Sequence, residues 1–122
     1  MEWNFKNGIP IYTQIIDEMT MPIASGSYDP GEKLQSVRDL ALDAGVNPNT
    51  MQRALAELER RGLVYSERTS GRFVTNDKGI LDSLHEELAV RYFEELEDKL
   101  RKIGMTGEEI TGAVNKWLAD IK

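Results

Sequence analysis

Two helix starts lie close together in this chain with a glycine between them, and this arrangement leaves few folds open. Ser36 is a residue type that caps helices, and Asp39, three residues later, gives a variant of the capping box. Gly45 is placed to end this helix after about two turns, and Asn47 followed by Pro48 starts the next one. Two short helices joined by a tight glycine-containing turn predict a helix-turn-helix.

The segments on both sides extend this motif. Apolar residues recur at helical spacing from Ile11 to Ile23, which predicts a helix that Pro22 kinks or shortens. Short apolar runs at 63–65 and 73–75 predict two strands, and the polar residues between them predict a hairpin turn. Three helices followed by a β-hairpin predict a winged helix-turn-helix, in a fold that is mainly α with a small β-hairpin.

The pattern changes after residue 76, so we divide the chain into a winged domain, 1–76, and a helical region, 77–122. In the helical region, apolar side chains recur every three or four residues over about six turns of one predicted helix. These side chains are Leu81, Leu84, Leu88, Tyr92, Leu96, Leu100 and Ile103. A capping box at Thr106 and Glu109 then starts a last helix, whose apolar stripe includes Trp117 and Leu118.

The apolar surface of these two tail helices exceeds what a domain of about 70 residues covers, and it argues for a partner. A second copy of the chain is the simplest partner, because a two-fold dimer presents two recognition helices to a palindromic site. The residues expected at the dimer interface are Leu84, Leu88, Tyr92, Leu96, Leu100, Trp117 and Leu118. The alternative is that the two helices pack on each other within one chain.

Composition argues against most enzymes. The chain has no cysteine and a single histidine, His85, which excludes thiolate chemistry and disfavours a catalytic triad or a multi-histidine metal site. We therefore predict no enzymatic activity, no cofactor and no metal. The sequence shows neither a membrane-spanning run nor a secretion signal, so we expect a cytoplasmic protein. The net charge of −6 disfavours nucleic acid, but residues 47–76 carry five arginines against three glutamates.

The second helix of a helix-turn-helix enters the major groove of DNA, with its N-terminal residues nearest the base edges. This recognition helix is predicted at about 47–61, and its leading polar residues are Asn47, Asn49, Thr50, Gln52 and Arg53. Asn and Gln pair with adenine, and Arg pairs with guanine. As alternatives, Asn47 acts only as a helix cap and Arg53 forms only a surface ion pair.

Arg38 lies in the first turn of the preceding helix, where a cation opposes the helix dipole. A basic residue placed against that preference indicates a contact with a phosphate or a base edge. The alternative is a salt bridge to Asp39 or Glu32.

The wing, the hairpin tip at about 66–73, carries Arg68 and Arg72 on either side of Gly71. Glycine permits close approach to a sugar–phosphate backbone, and arginine can enter a narrow minor groove. We therefore predict DNA contacts at these three residues. The alternative is an ordinary solvated turn.

Four segments carry a family resemblance: PIYTQI (10–15), ASGSYDPGEKLQSVRDLA (24–41), GVNPNTMQRALAELERRGLV (45–64) and SGRFV (70–74). Together they resemble the DNA-binding domain of the GntR family of bacterial transcription regulators, over residues 9–75. The short two-helix tail resembles the YtrA-type subfamily, in which such helices mediate dimerisation. By position, the resemblance implies DNA contacts at Ser36, Arg38, Asn47, Asn49, Thr50, Arg53 and Gly71.

The chain departs from the family pattern at two places. Gln35 stands where a proline is usual before the second helix, and Thr69 and Ser70 stand in the wing where glycine or lysine is common. The first departure affects how the helix starts, and the second affects the minor-groove contact of the wing.

These observations predict a homodimeric bacterial transcription factor, most simply a repressor, that binds a palindromic operator in double-stranded DNA. The resemblance to YtrA-type proteins suggests a transporter operon as the target. The sequence leaves open whether a small-molecule effector of unknown identity binds the protein. The alternative is a winged-helix module that binds another protein and no specific DNA, which the net charge of −6 favours.

Overall fold

The computed structural model describes residues 1–121 as five helices and one two-stranded sheet. The elements are α1 (Ile11–Ser25), α2 (Val37–Ala44), α3 (Pro48–Arg60), β1 (Val64–Glu67), β2 (Gly71–Val74), α4 (Lys78–Lys102) and α5 (Gly107–Asp120). The chain divides into two compact units, of which the first is Met1–Leu84 and the second begins at His85. The predicted winged helix-turn-helix, mainly α with a small hairpin, is confirmed.

Side-chain caps fix the starts of α2 and α3. The Asp39 amide donates to the hydroxyl of Ser36 (3.1 Å), and the Asn49 amide donates to the side-chain oxygen of Asn47 (2.7 Å). Gly45 follows α2 with a φ of 69°, a conformation that favours glycine. The local signals in the sequence therefore place both helices correctly.

The core of the first unit lies mainly between α1 and α3. Apolar side chains on both helices are fully buried, among them Ile15, Met19, Met51 and Leu58. Each such burial stabilises the fold by about 1.5–3 kcal/mol. Pro22 does not shorten α1, which continues past it to Ser25. The predicted kink at Pro22 stays a prediction.

The hairpin is antiparallel, with Val64 opposite Val74 and Glu67 opposite Gly71. Its strands are shifted by one or two residues from the apolar runs at 63–65 and 73–75. The segment before α2 also pairs with β2, since the Leu34 amide donates to the Arg72 carbonyl (2.9 Å) and the Val74 amide donates to the Glu32 carbonyl (2.8 Å). This pairing ties the wing to the chain that leads into α2.

The tail helices start and end close to the predicted positions. The capping box of α5 is formed in both directions between Thr106 and Glu109. The first unit continues to Leu84 because Ile80, in the first turn of α4, packs over Gly62. No helix in residues 1–121 is long and apolar enough to cross a membrane. The division of function between 1–76 and 77–122 stays a prediction.

Candidate nucleic-acid interface

The recognition helix α3 has one buried face and one polar face. Its first turns expose Asn49, Gln52 and Arg53, and they leave Thr50 half-buried. The oxygen of Asn47 accepts one hydrogen bond in the helix cap, while the amide NH₂ of this side chain keeps both of its donors. The polar face therefore carries donors and acceptors suited to base edges.

Arg53 does not form the surface ion pair that was its alternative role, since no residue in 1–121 gives it a carboxylate partner. Its guanidinium instead lies over the aromatic ring of Tyr12 in α1, with Cζ 3.7 Å from the ring centroid. This is a cation–π contact. The charge of Arg53 therefore remains available to an anionic or electronegative ligand.

Two other arginines of this region share one carboxylate, that of Glu57. Arg60 and Arg61 bond to it at 2.6 and 2.7 Å. The hydrogen bonds from both guanidinium groups lower the pKa of Glu57 from 4.5 to about 2. The charge of these two arginines is therefore partly compensated, whereas Arg53 has no carboxylate partner among residues 1–121.

At the start of α2, the hydroxyl of Ser36 is occupied by the cap, while Arg38 is exposed. The predicted alternative, a salt bridge from Arg38 to Asp39 or Glu32, is not formed among the described residues. Glu32 instead accepts a hydrogen bond from the Asp29 amide at 2.9 Å. Arg38 thus presents an uncompensated charge to solvent.

The wing separates its two arginines. Arg68 is exposed at the turn between β1 and β2, whereas the side chain of Arg72 is only 20% exposed. Arg72 points back towards α3, with Nε 3.5 Å from Glu59 Oε1 and Nη1 3.4 Å from Gln52 Oε1. In the free protein Arg72 therefore connects the wing to the recognition helix through these two side-chain contacts. Its contact with DNA stays a prediction.

Lys33 is a basic residue of this surface that sequence reasoning missed. It forms an isolated antiparallel bridge with Phe73, and its Cε lies 3.2 Å from where a Cβ at Gly71 would stand. With Ser36 and Ser70 it lines a cleft of about 490 Å³ between the wing and α2. Lys33 belongs to the PGEKL motif, but it reaches the wing only because its segment pairs with the distant strand β2.

The apolar residues of the tail fall into two groups. Leu84 and Leu88 are already buried in the single chain, and Leu100 is half-buried. The exposed members, with exposed fractions of 48, 43, 61 and 43%, are Tyr92, Leu96, Trp117 and Leu118. Val90 and Phe93 of α4 are also exposed, as are Ile103 and Ile121, which directly follow α4 and α5. The exposed apolar residues of the tail therefore lie in the second half of α4, at its end, and at the end of α5.

Comparison with known proteins places residues 11–74 in the gntR family of bacterial regulatory proteins. The regulator YhcF of Bacillus subtilis is 36% identical over 117 residues, which cover 96% of this chain and 97% of YhcF. The transcriptional repressor YtrA of the same organism is 40% identical over 72 residues, 59% of this chain and 55% of YtrA.

Solved structures show the same likeness. A GntR family transcriptional regulator from Listeria monocytogenes has a TM-score of 0.81 and 38% identity, covering 92% of this chain and 98% of that protein. The DNA-binding domain of AraR, solved in complex with operator ORX1, has a TM-score of 0.57 and 29% identity, covering 62% of this chain and 96% of that domain. This chain belongs to the GntR family, and it is a DNA-binding transcription regulator of the YtrA type.

Proposed function

We propose that this protein is a homodimeric repressor that binds a palindromic operator through α3 and the wing of each protomer. The observation that carries the proposal is the contact between the exposed polar face of α3 and the wing, where Nη1 of Arg72 in β2 lies 3.4 Å from Oε1 of Gln52 in α3. Arg38, Arg53 and Arg68 add positive charge that no carboxylate of residues 1–121 neutralises.

The residues proposed to contact DNA are Ser36, Arg38, Asn47, Asn49, Thr50, Arg53, Arg68, Gly71 and Arg72. Contacts to phosphates would supply much of the affinity, and Asn49, Thr50 and Arg53 would supply much of the sequence preference. Relatives named as repressors support repression as the mode of action.

Dimerisation is proposed to use the exposed apolar residues of α4 and α5. Large apolar side chains concentrated on a surface indicate an interaction site. The same symmetry that pairs two tails would pair two recognition helices on a palindrome. Leu84 and Leu88 would support this interface from within each chain rather than touch the partner, because they are buried in the single chain.

The remaining parts of the proposal follow from the family. The relatives are transcription regulators, so we propose no enzymatic activity, and a protein that binds operator DNA is expected in the cytoplasm. A small-molecule effector and a transporter operon as target stay predictions, without an assigned site or sequence.

Fluorescence anisotropy tests the DNA-binding part directly. The probe is a duplex that the full-length protein selects from a random pool, compared with a shuffled duplex at 50 and 200 mM salt. We expect at least a hundredfold preference for the selected duplex and a steep loss of affinity at the higher salt concentration. Equal weak binding to both duplexes would favour the alternative of a protein-interaction module, which the net charge of −6 supports.

A further inference from the structure

Tyr12, in the first turn of α1, contacts an exposed arginine of the recognition helix. The Arg53 guanidinium stacks on its ring, with 3.7 Å between Cζ and the ring centroid. Tyr12 is half-buried, whereas Arg53 is exposed. The helices that carry them pack directly against each other through the buried core of the first unit. The ring is therefore partly enclosed by the packing of α1 on α3, while the guanidinium lies at the protein surface.

Stacking leaves the recognition groups of the arginine accessible. The N–H donors of a guanidinium point outward in its plane, whereas the ring of Tyr12 covers one face of that plane. A base or phosphate acceptor binds at the edge of the guanidinium, so Arg53 can contact DNA and the ring of Tyr12 at the same time. An unsupported arginine would lose its side-chain freedom when DNA binds, and an arginine already stacked loses less.

The other arginines of α3 offer a contrast. Arg60 donates from Nε and Nη2, and Arg61 from Nε, to the carboxylate of Glu57, at distances of 2.6–2.7 Å. Arg53 has the same charge on the same helix, but its partner is an aromatic face that consumes no donor. Among the arginines of α3 and its C-terminal cap, Arg53 is the one that contacts an aromatic ring and no carboxylate of residues 1–121.

We propose that Tyr12 is a positioning residue for DNA recognition. Its ring holds the Arg53 guanidinium in an orientation that presents the N–H edge to one acceptor of the duplex, a guanine edge or a backbone phosphate. This inference rests on the proposed DNA contact of Arg53. It adds a residue of α1, outside the helix-turn-helix itself, to the determinants of binding.

The test is a double-mutant cycle on the full-length protein with the selected duplex, using Tyr12→Leu, Arg53→Ala and the double variant. Tyr12→Leu should weaken binding about two- to tenfold, the cost of immobilising one flexible side chain on binding. Tyr12→Phe should restore binding to within about twofold. In the Arg53→Ala background, Tyr12→Leu should cause no further loss.

A second set of variants separates positioning from a structural role. Pentafluorophenylalanine at position 12 keeps the size of the ring but reverses its quadrupole, so it should weaken binding relative to Tyr12→Phe. Thermal unfolding followed by circular dichroism should be similar for these two proteins. Duplexes with single G·C pairs replaced then identify the acceptor. If Tyr12→Leu no longer weakens binding to a duplex in which one particular G·C pair is replaced, the acceptor is the guanine of that pair. If Tyr12→Leu weakens binding to every replaced duplex, the acceptor is a phosphate.

Two results would overturn the inference while leaving the proposed function intact. One is equal binding by the phenylalanine and pentafluorophenylalanine proteins. The other is that Tyr12→Leu weakens DNA binding by the same factor in the unmodified protein and in the Arg53→Ala variant. If Arg53→Ala itself binds normally, the inference also fails. The proposed function is then judged separately, by whether the unmodified protein prefers the selected duplex over the shuffled one.

Discussion

Replacing Trp117 by alanine tests whether the tail forms a dimer. Trp117 is 61% exposed at the end of α5, so about 150 Å² of a tryptophan side chain is available to a partner. If a dimer buries about half of that area, the loss is about 2 kcal/mol per protomer at 25 cal/mol per Å². A two-fold interface contains the residue twice, so the dimer loses about 4 kcal/mol, and its dissociation constant rises several hundredfold.

Sedimentation equilibrium over a range of protein concentrations measures this change, because each protomer has a mass of 13.8 kDa and a dimer has twice that mass. The matched control is Leu42→Ala. Leu42 is also a large apolar residue, 74% exposed, but it lies on α2 in the first unit. The control should dissociate like the unmodified protein. Unchanged dissociation of Trp117→Ala, or an equal shift in both variants, would refute the reasoning from exposed apolar area.

Three further predictions concern the first unit. Arg53→Ala should cost about 1–3 kcal/mol of specific DNA binding by anisotropy, whereas Arg60→Ala should cost less, because Arg60 is paired with Glu57; equal losses would contradict the assignment. Gly71→Ala should destabilise the protein by about 1–3 kcal/mol in thermal unfolding, since Gly71 has a φ of +111°; an unchanged melting temperature would contradict it. The Glu57 carboxyl should titrate near its lowered pKa of about 2 by NMR. Its stabilising contribution is thus complete above pH 4.5 and is lost as the pH falls through about 2, and titration near pH 4.5 would show that the arginine contacts are absent in solution.

The elements that the sequence predicted best are those fixed by local chemistry. Ser36, Asn47 and Thr106 each accept the backbone hydrogen bond that their residue type and position indicate. Strand ends were less certain, because hairpin pairing extends through polar residues such as Glu67 that belong to no apolar run. In the apolar stripe of α4, Leu84 and Leu88 are buried but Tyr92 and Leu96 are exposed, because periodicity does not tell where along a helix other residues cover its apolar face. The role of the exposed members at a dimer interface stays a prediction.

The contacts that the sequence did not predict all join residues far apart in the chain. Lys33 reaches the wing through backbone pairing with β2, and Arg72 turns away from the tip because Gln52 lies across from it on α3. Arg53 finds Tyr12 only after α1 and α3 have packed. Contacts between residues far apart in the chain depend on how the helices and strands pack, and residue type and spacing alone do not predict that packing.

The side-chain contact between Gln52 and Arg72 affects how DNA specificity can evolve in this chain. Gln52 is exposed on α3, and its side-chain oxygen lies 3.4 Å from Nη1 of Arg72 in the wing. A substitution at position 52 that favours a different base would therefore also change how Arg72 packs against α3. We expect operator preference at the major groove and at the wing to be inherited as one unit, with positions 52, 59 and 72 changing together among descendants of this sequence.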